Sequence, residues 1–140
     1  MMELTDDYLA AESELVALLE DNVGELRKVY TSVDLAELKQ RSQVTPAAHV
    51  IYWGDTPALA AQGGATGHVT QTWMVVLAVN LRKKDDAGPL LAQMIKTLAG
   101  YHLTLGNLVR QAAPKPTFNA GFGYYPLAYE IKFRTKGAKP

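Results

Sequence analysis

The chain has 140 residues, no cysteine, and 14 basic against 14 acidic side chains, so its formal charge is zero. A chain of this length buries about two-thirds of its unfolded surface as one domain and needs no staple to do so; without thiols, disulfides and thiolate nucleophiles or zinc sites are excluded. Neutrality gives no reason to expect nucleic acid or an anionic membrane as partner, and it is compatible with self-assembly.

The opening, Met1 to Asp7, lacks the basic flank and apolar stretch of a secretory signal, and no apolar run approaches ~18 residues. This reads as a soluble protein kept in the cytoplasm. A helix is predicted over Asp6–Asn22, with Leu4, Tyr8, Leu15, Leu18 and Leu19 on one face beside Ala11. Thr5 is its candidate cap, and Gly24 its candidate left-handed stop. A short strand over Arg27–Thr31 follows. Asp34-Leu-Ala-Glu37 reads as the capped start of one or two helical turns ending near Ser42.

Beyond Pro46, the β-branched and aromatic run Ala48–Trp53 predicts a strand ended by Gly54-Asp55. Thr56–Gly67, with Pro57, Gly63, Gly64 and Gly67, reads as a mobile hairpin loop. Val69–Arg82 is a long strand. One face carries Val69, Gln71, Trp73, Val75, Leu77, Val79 and Leu81 and is assigned to the core. The other is apolar only in its middle, where a helix or another subunit could cover it. At ~3.3 Å per residue it would be about 45 Å long and would project past its own domain.

A helix over Gly88–Gly100 should bury Leu91, Met94, Ile95 and Leu98, with Asp86 and Pro89 in its first turn. Gly106–Ala112 is a candidate short strand and Pro114–Gly123 a second exposed loop. Tyr125, Leu127, Tyr129, Ile131 and Phe133 alternate with polar or small residues, as in an antiparallel strand with one solvated side. The expected layout is one domain over residues 1–134 and a disordered tail over 135–140.

Motifs for chemistry are missing. His49, His68 and His102 show no metal-ligand spacing, and Ser13, Ser32 and Ser42 occupy no nucleophile elbow. The glycine groups Gly63-Gly64-Ala-Thr-Gly67 and Gly121-Phe-Gly123 are not phosphate loops. Asp85-Asp86 is better explained as a helix start than as a cation site. Among the aromatics, Trp73, Tyr125 and Tyr129 read as core, while Tyr and Trp are also enriched where subunits meet. A competing reading is a small α/β ligand- or peptide-binding module with a pocket near Trp53, Trp73 and Tyr129. A hydrolase with a site unrecognisable in the sequence is the weakest reading, because no nucleophile–base constellation stands out.

In order along the chain, Pro46-Ala-Ala-His-Val-Ile-Tyr-Trp-Gly54, Gln71-Thr-Trp-Met-Val-Val-Leu-Ala-Val79, Ala87-Gly-Pro-Leu-Leu91, Leu98-Ala-Gly100 and Gly123-Tyr-Tyr-Pro-Leu-Ala-Tyr129 resemble the tail terminator proteins of long-tailed bacteriophages and prophages. The likeness runs from Asp34 to Phe133; Tyr101 stands where that family usually has Trp. The resemblance implies an α/β (α+β) fold, with an antiparallel or mixed sheet of about four to five strands packed by two to three helices. It further implies a hexameric ring that caps the tail tube, ends its polymerisation and offers a surface to a head-completion connector. No cofactor, metal or catalytic residue is expected, and the implied location is the virion tail, after assembly in the host cytoplasm.

On this reading the ring's lateral contact falls on Thr70, Thr72 and Met74 and on Asn80, Arg82 and Lys83. The acidic residues Glu12, Glu14 and Glu20 would form the complementary surface. Gly63, Gly64, Gly67, His68, Phe118, Asn119 and Phe122 are the candidate loop residues facing the tube or the connector.

Overall fold

The computed structural model describes residues 2–37, 43–57, 66–83 and 85–137. Its elements in order are α1 (Ala10–Asn22), β1 (Lys28–Tyr30), α2 (Ser32–Glu37), β2 (Ala47–Pro57), β3 (Thr66–Asn80) and α3 (Ala87–Leu98). Then come β4 (His102–Leu103), β5 (Gly106–Asn107), β6 (Val109–Gln111), β7 (Thr117–Asn119) and β8 (Phe122–Lys136). The fold is α+β, with a mixed sheet ordered β1-β2-β3-β8-β6. β7 also pairs with β8, making six strands, one more than the sequence suggested. β1 runs parallel to β2, and every other pairing in this sheet is antiparallel.

Alternation sets which face of the sheet is buried. Val69, Gln71, Trp73, Val75, Leu77 and Val79 all turn inward, joined by Leu127, Tyr129, Ile131 and Phe133 of β8. Helices α1 and α3 pack together over the core, bringing Ala11, Leu15, Leu18 and Leu19 from one and Leu90, Met94 and Leu98 from the other. In α3 the buried stripe includes Leu90, with Leu91 and Ile95 at its margin. Burial of such apolar surface, at about 25 cal/mol per Å², is the main force holding the layers.

The inward face also holds one polar relay. The indole Nε1–H of Trp73 donates to Gln71 Oε1 at 2.8 Å, and Gln71 Nε2 donates to the Tyr8 carbonyl at 2.8 Å. Gln71 is fully buried. That relay explains why α1 begins at Ala10 and not at Asp6: the Tyr8 carbonyl is taken by Gln71, and the Tyr8 hydroxyl donates to Asp55. The turn before the helix is instead closed by Asp7 Oδ1, which accepts the Leu9 N–H. At the far end Val23 donates to the Leu19 carbonyl, and Gly24 does not adopt a left-handed conformation.

Other boundaries shift for equally local reasons. Helix α2 starts at Ser32, because Asp34 reaches back to accept both the backbone N–H and the hydroxyl of Thr31. The cap thus stands at Thr31, three residues before the one expected at Asp34; the expected end near Ser42 lies outside the described residues. Gly54 does not end β2. It follows a β-bulge at Trp53, takes φ of 118°, and the strand continues to Pro57. The expected Thr56–Gly67 loop shrinks from both sides, since Gly67 and His68 are β3 residues paired with Thr135 and Arg134. Gly63 and Gly64 lie outside the described residues.

β3 does not stand alone beyond its domain. β8 is equally long and pairs with it from Thr66–Lys136 to Asn80–Phe122. Thr135 and Lys136, expected in a disordered tail, therefore belong to this strand; residues 138–140 lie outside the described set. The expected loop Pro114–Gly123 is also partly strand, because β7 and β8 form a hairpin.

Candidate assembly interface

The end of the sheet where β3 leaves and β8 begins is organised by two turns. In the first, Asn80 Oδ1 accepts the N–H groups of Arg82 at 3.0 Å and Lys83 at 3.2 Å, and the Asn80 N–H donates to Asp85 Oδ2 at 2.8 Å. Asx turns of this kind fix the chain direction, here leaving both cations exposed. Asn80 itself is committed to the turn. The second is the β7–β8 tip, where Asn119 faces Phe122 and the two linking residues have positive φ, 53° at Ala120 and 85° at Gly121. That is the geometry of a type I′ hairpin. The Leu81 N–H donates to the Gly121 carbonyl, and Arg82 lies against Gly121, joining the two turns.

Ala120 carries a side chain where glycine is at ease. Ala120→Gly is expected to raise stability by about 0.5–1 kcal/mol by relieving the left-handed strain. A lower melting temperature would show that the tip is held by something other than backbone preference.

From the β6 edge strand to this tip, every residue from Val109 to Ala120 is exposed. The segment is not loose, since β6 and β7 each pair with β8. Its apolar members Val109 and Phe118 are 53% and 60% exposed. Phe118 is held edge-on to Tyr125 at 5.9 Å between ring centroids. Phe122, expected to face a partner, is buried, since it turns to the sheet face opposite Phe118 and its ring lies 6.5 Å from that of Tyr124. Phe118 and Asn119 are exposed members of β7.

The other predicted contact residues fall in several places. In α1, Glu12 is half-buried and Glu20 is exposed. Glu14 is engaged within the chain, its Oε1 accepting the Thr104 N–H at 3.0 Å and the Thr104 hydroxyl at 2.6 Å. Thr70 and Thr72 are half-buried, while Met74 is 3% exposed and belongs to its own chain's interior. Gly67 and His68 lie at the far end of β3, away from the β7–β8 tip.

Trp53, Trp73 and Tyr129 do not form a pocket. Trp73 and Tyr129 are fully buried, and Trp53 is 57% exposed on its bulge. An open groove of about 390 Å³ lies elsewhere, lined by Met2, His102, Asn107, Gln111, Glu130 and Lys132. His102 Nδ1–H donates to Asn107 there. Among the described residues no three His, Cys, Asp or Glu side chains gather to hold a metal, and no helix is long and apolar enough to cross a membrane.

His49 sits on the sheet face opposite the helices, edge-on to Tyr30 at 5.4 Å and tilted to Tyr124 at 6.2 Å. Gln43 Nε2 donates to the Tyr124 hydroxyl at 2.8 Å, and the Tyr30 hydroxyl accepts the Val44 N–H at 2.9 Å. His49 Nε2 is buried with no hydrogen-bond partner among the described residues. Burial pushes its pKa down to about 4. Burial first, and then Asp55, raise the Tyr8 hydroxyl well above its ordinary value.

Sequence reasoning divided the Val109–Ala120 segment between a strand over Gly106–Ala112 and a partner-facing loop over Pro114–Gly123, and it did not use a further signal: no acidic residue occurs between Asp86 and Glu130. Among curated proteins there is no match to the chain. The family model described as phage tail terminator protein matches residues 5–139, nearly all of the sequence, so the chain belongs to the phage tail terminator family and with it to the structural proteins of the phage tail.

Proposed function

We propose that this protein forms a closed ring, hexameric as the sequence resemblance implies, on the end of the tail tube. There it stops the addition of tube subunits and presents its other face to a head-completion connector. The observation that carries the ring is the segregation of charge. The first 25 residues hold eight acids and no base, while seven bases and one acid follow from Lys96 on. Only one ion pair forms among the described residues, Glu3 with Arg134 at 3.6 Å. We read these opposite groups as patches that meet between copies. Two unlike patches on one molecule give a heterologous contact, which closes into a ring when its rotation allows.

A closed ring fits termination, because its lateral contacts are satisfied and its two faces differ, so capping a tube does not recreate the surface that was capped. The protein acts in the virion tail after assembly in the host cytoplasm. Purified tail tube protein should polymerise to shorter tubes in its presence, read by electron microscopy. Tube lengths unchanged at a molar excess would sink this function.

The connection between β2 and β3, with Gly63 and Gly64, is the proposed contact to the tube or the connector, as glycine-rich connections between rigid strands can order on binding. Deleting Gly63-Gly64-Ala65 should leave the melting temperature nearly unchanged and reduce infectious particle yield. Wild-type yield from the deletion would remove this segment from the interface.

A further inference from the structure

We infer that the segment Val109–Ala120 and the Arg82–Lys83 turn of one copy dock on the outer face of α1 in a second copy. This rests on the ring reading above and identifies its lateral contact.

The donor surface is ordered before it binds. β6 and β7 are both paired with β8, the tip is closed by backbone geometry, and Phe118 is oriented by Tyr125. A preformed surface loses little conformational freedom on association. Its exposed Val109 and Phe118 are apolar anchors, of the kind that dominate interface affinity. Its charge is of one sign, since Arg110 and Lys115 lie in the segment and Arg82 and Lys83 adjoin it at Gly121.

The acceptor has the opposite character. Helix α1 exposes Glu20 and Asp21, carries the half-buried Glu12 at the margin of that face, and contains no basic residue. Glu14 is excluded, because Thr104 already occupies it. Ser13 and Ala17 are exposed one turn apart on the same helix and leave room for a large side chain. Exposed ion pairs add little affinity singly, so the anchors supply the hold and the charges fix orientation and register.

The topology gives the contact its direction. α1 packs toward β1 and β2 at one side of the sheet, and β6 and β7 form the opposite edge. With the two patches on opposite sides of the sheet, each copy can offer its edge to one neighbour and its helix to another, the head-to-tail arrangement that closes into a ring.

The test uses two charge-reversed chains, Arg110→Glu/Lys115→Glu and Glu12→Lys/Glu20→Lys, with thermal melts to verify that each is folded. Each alone should sediment as a monomer at a concentration where the wild type is oligomeric. A one-to-one mixture should return to the wild-type size, because each reversed segment then meets a reversed helix. An uncharged variant, Phe118→Ser, should also weaken association. The inference is overturned if either reversed chain assembles like the wild type, if the mixture stays monomeric, or if the wild type itself never associates. An oligomeric wild type whose reversed variants also assemble would leave the ring standing with a different contact. Restored mixing with no effect on tube length would instead keep this contact and remove the capping role.

Discussion

A Gln71→Ala chain is expected to lose about 3–6 kcal/mol of stability in urea unfolding, more than its small apolar contact would suggest. Two terms add. The truncation leaves a cavity in a close-packed core, and it orphans the Trp73 indole N–H and the Tyr8 carbonyl, each of which then loses its partner at about 1–3 kcal/mol. Gln71→Glu separates the terms. A carboxylate still accepts from Trp73 but meets the Tyr8 carbonyl with negative charge, so this variant should recover part of its stability at acid pH, where the protonated group can donate again. A loss below about 1 kcal/mol for Gln71→Ala would mean that the relay does not hold α1 in place.

The second large effect is acid sensitivity from His49. Its pKa is about 4 in the folded chain against 6.5 for the free side chain. Between these values the unfolded chain binds the additional proton, so folding stability falls as pH drops from about 6.5 to about 4. The shift corresponds to about 3 kcal/mol, with no further loss from this group below that window. The proton would enter a site between Tyr30 and Tyr124 with no acceptor beside Nε2 among the described residues. His49→Phe should flatten this part of the stability profile. The difference between the two chains isolates His49 from the carboxylates, among them Asp34, whose pKa is lowered chiefly by its hydrogen bonds to Thr31. Identical profiles for both would place His49 in contact with solvent.

Much of this was readable from residue order, and the reasons for success and failure are physical. Strands β3 and β8 announce themselves because one face of each is buried, so the alternation of Trp73, Val75 and Leu77, or of Tyr129, Ile131 and Phe133, is imposed by the core. Gly100, with φ of 74°, ends α3 as its position predicts. Boundaries set by distant partners were not legible. The start of α1 depends on Gln71, the reach of β8 depends on Gly67 and Thr66, and the bulge at Trp53 depends on the register of its neighbours with Trp73 and Thr72. Of the proposed interface, only the charges could be read in the sequence. Arg82 and the acids of α1 stand out as charges, whereas Met74 and Phe122 looked available until their neighbours were known.

The equal length of β3 and β8 has a consequence for the order in which the protein is made. β3 carries the run Trp-Met-Val-Val-Leu-Ala-Val from Trp73 to Val79, and the strand that covers one of its edges begins only at Phe122. Until synthesis passes Tyr129, the residue that pairs with Trp73, a nascent chain holds a long apolar edge with unpaired amide groups, the most sticky form a strand can take. Pairing so remote in sequence is also slow to find. A chain released before Phe122 would therefore be an insoluble product and not a slightly weakened one, because the whole of this edge of β3 then lacks its partner.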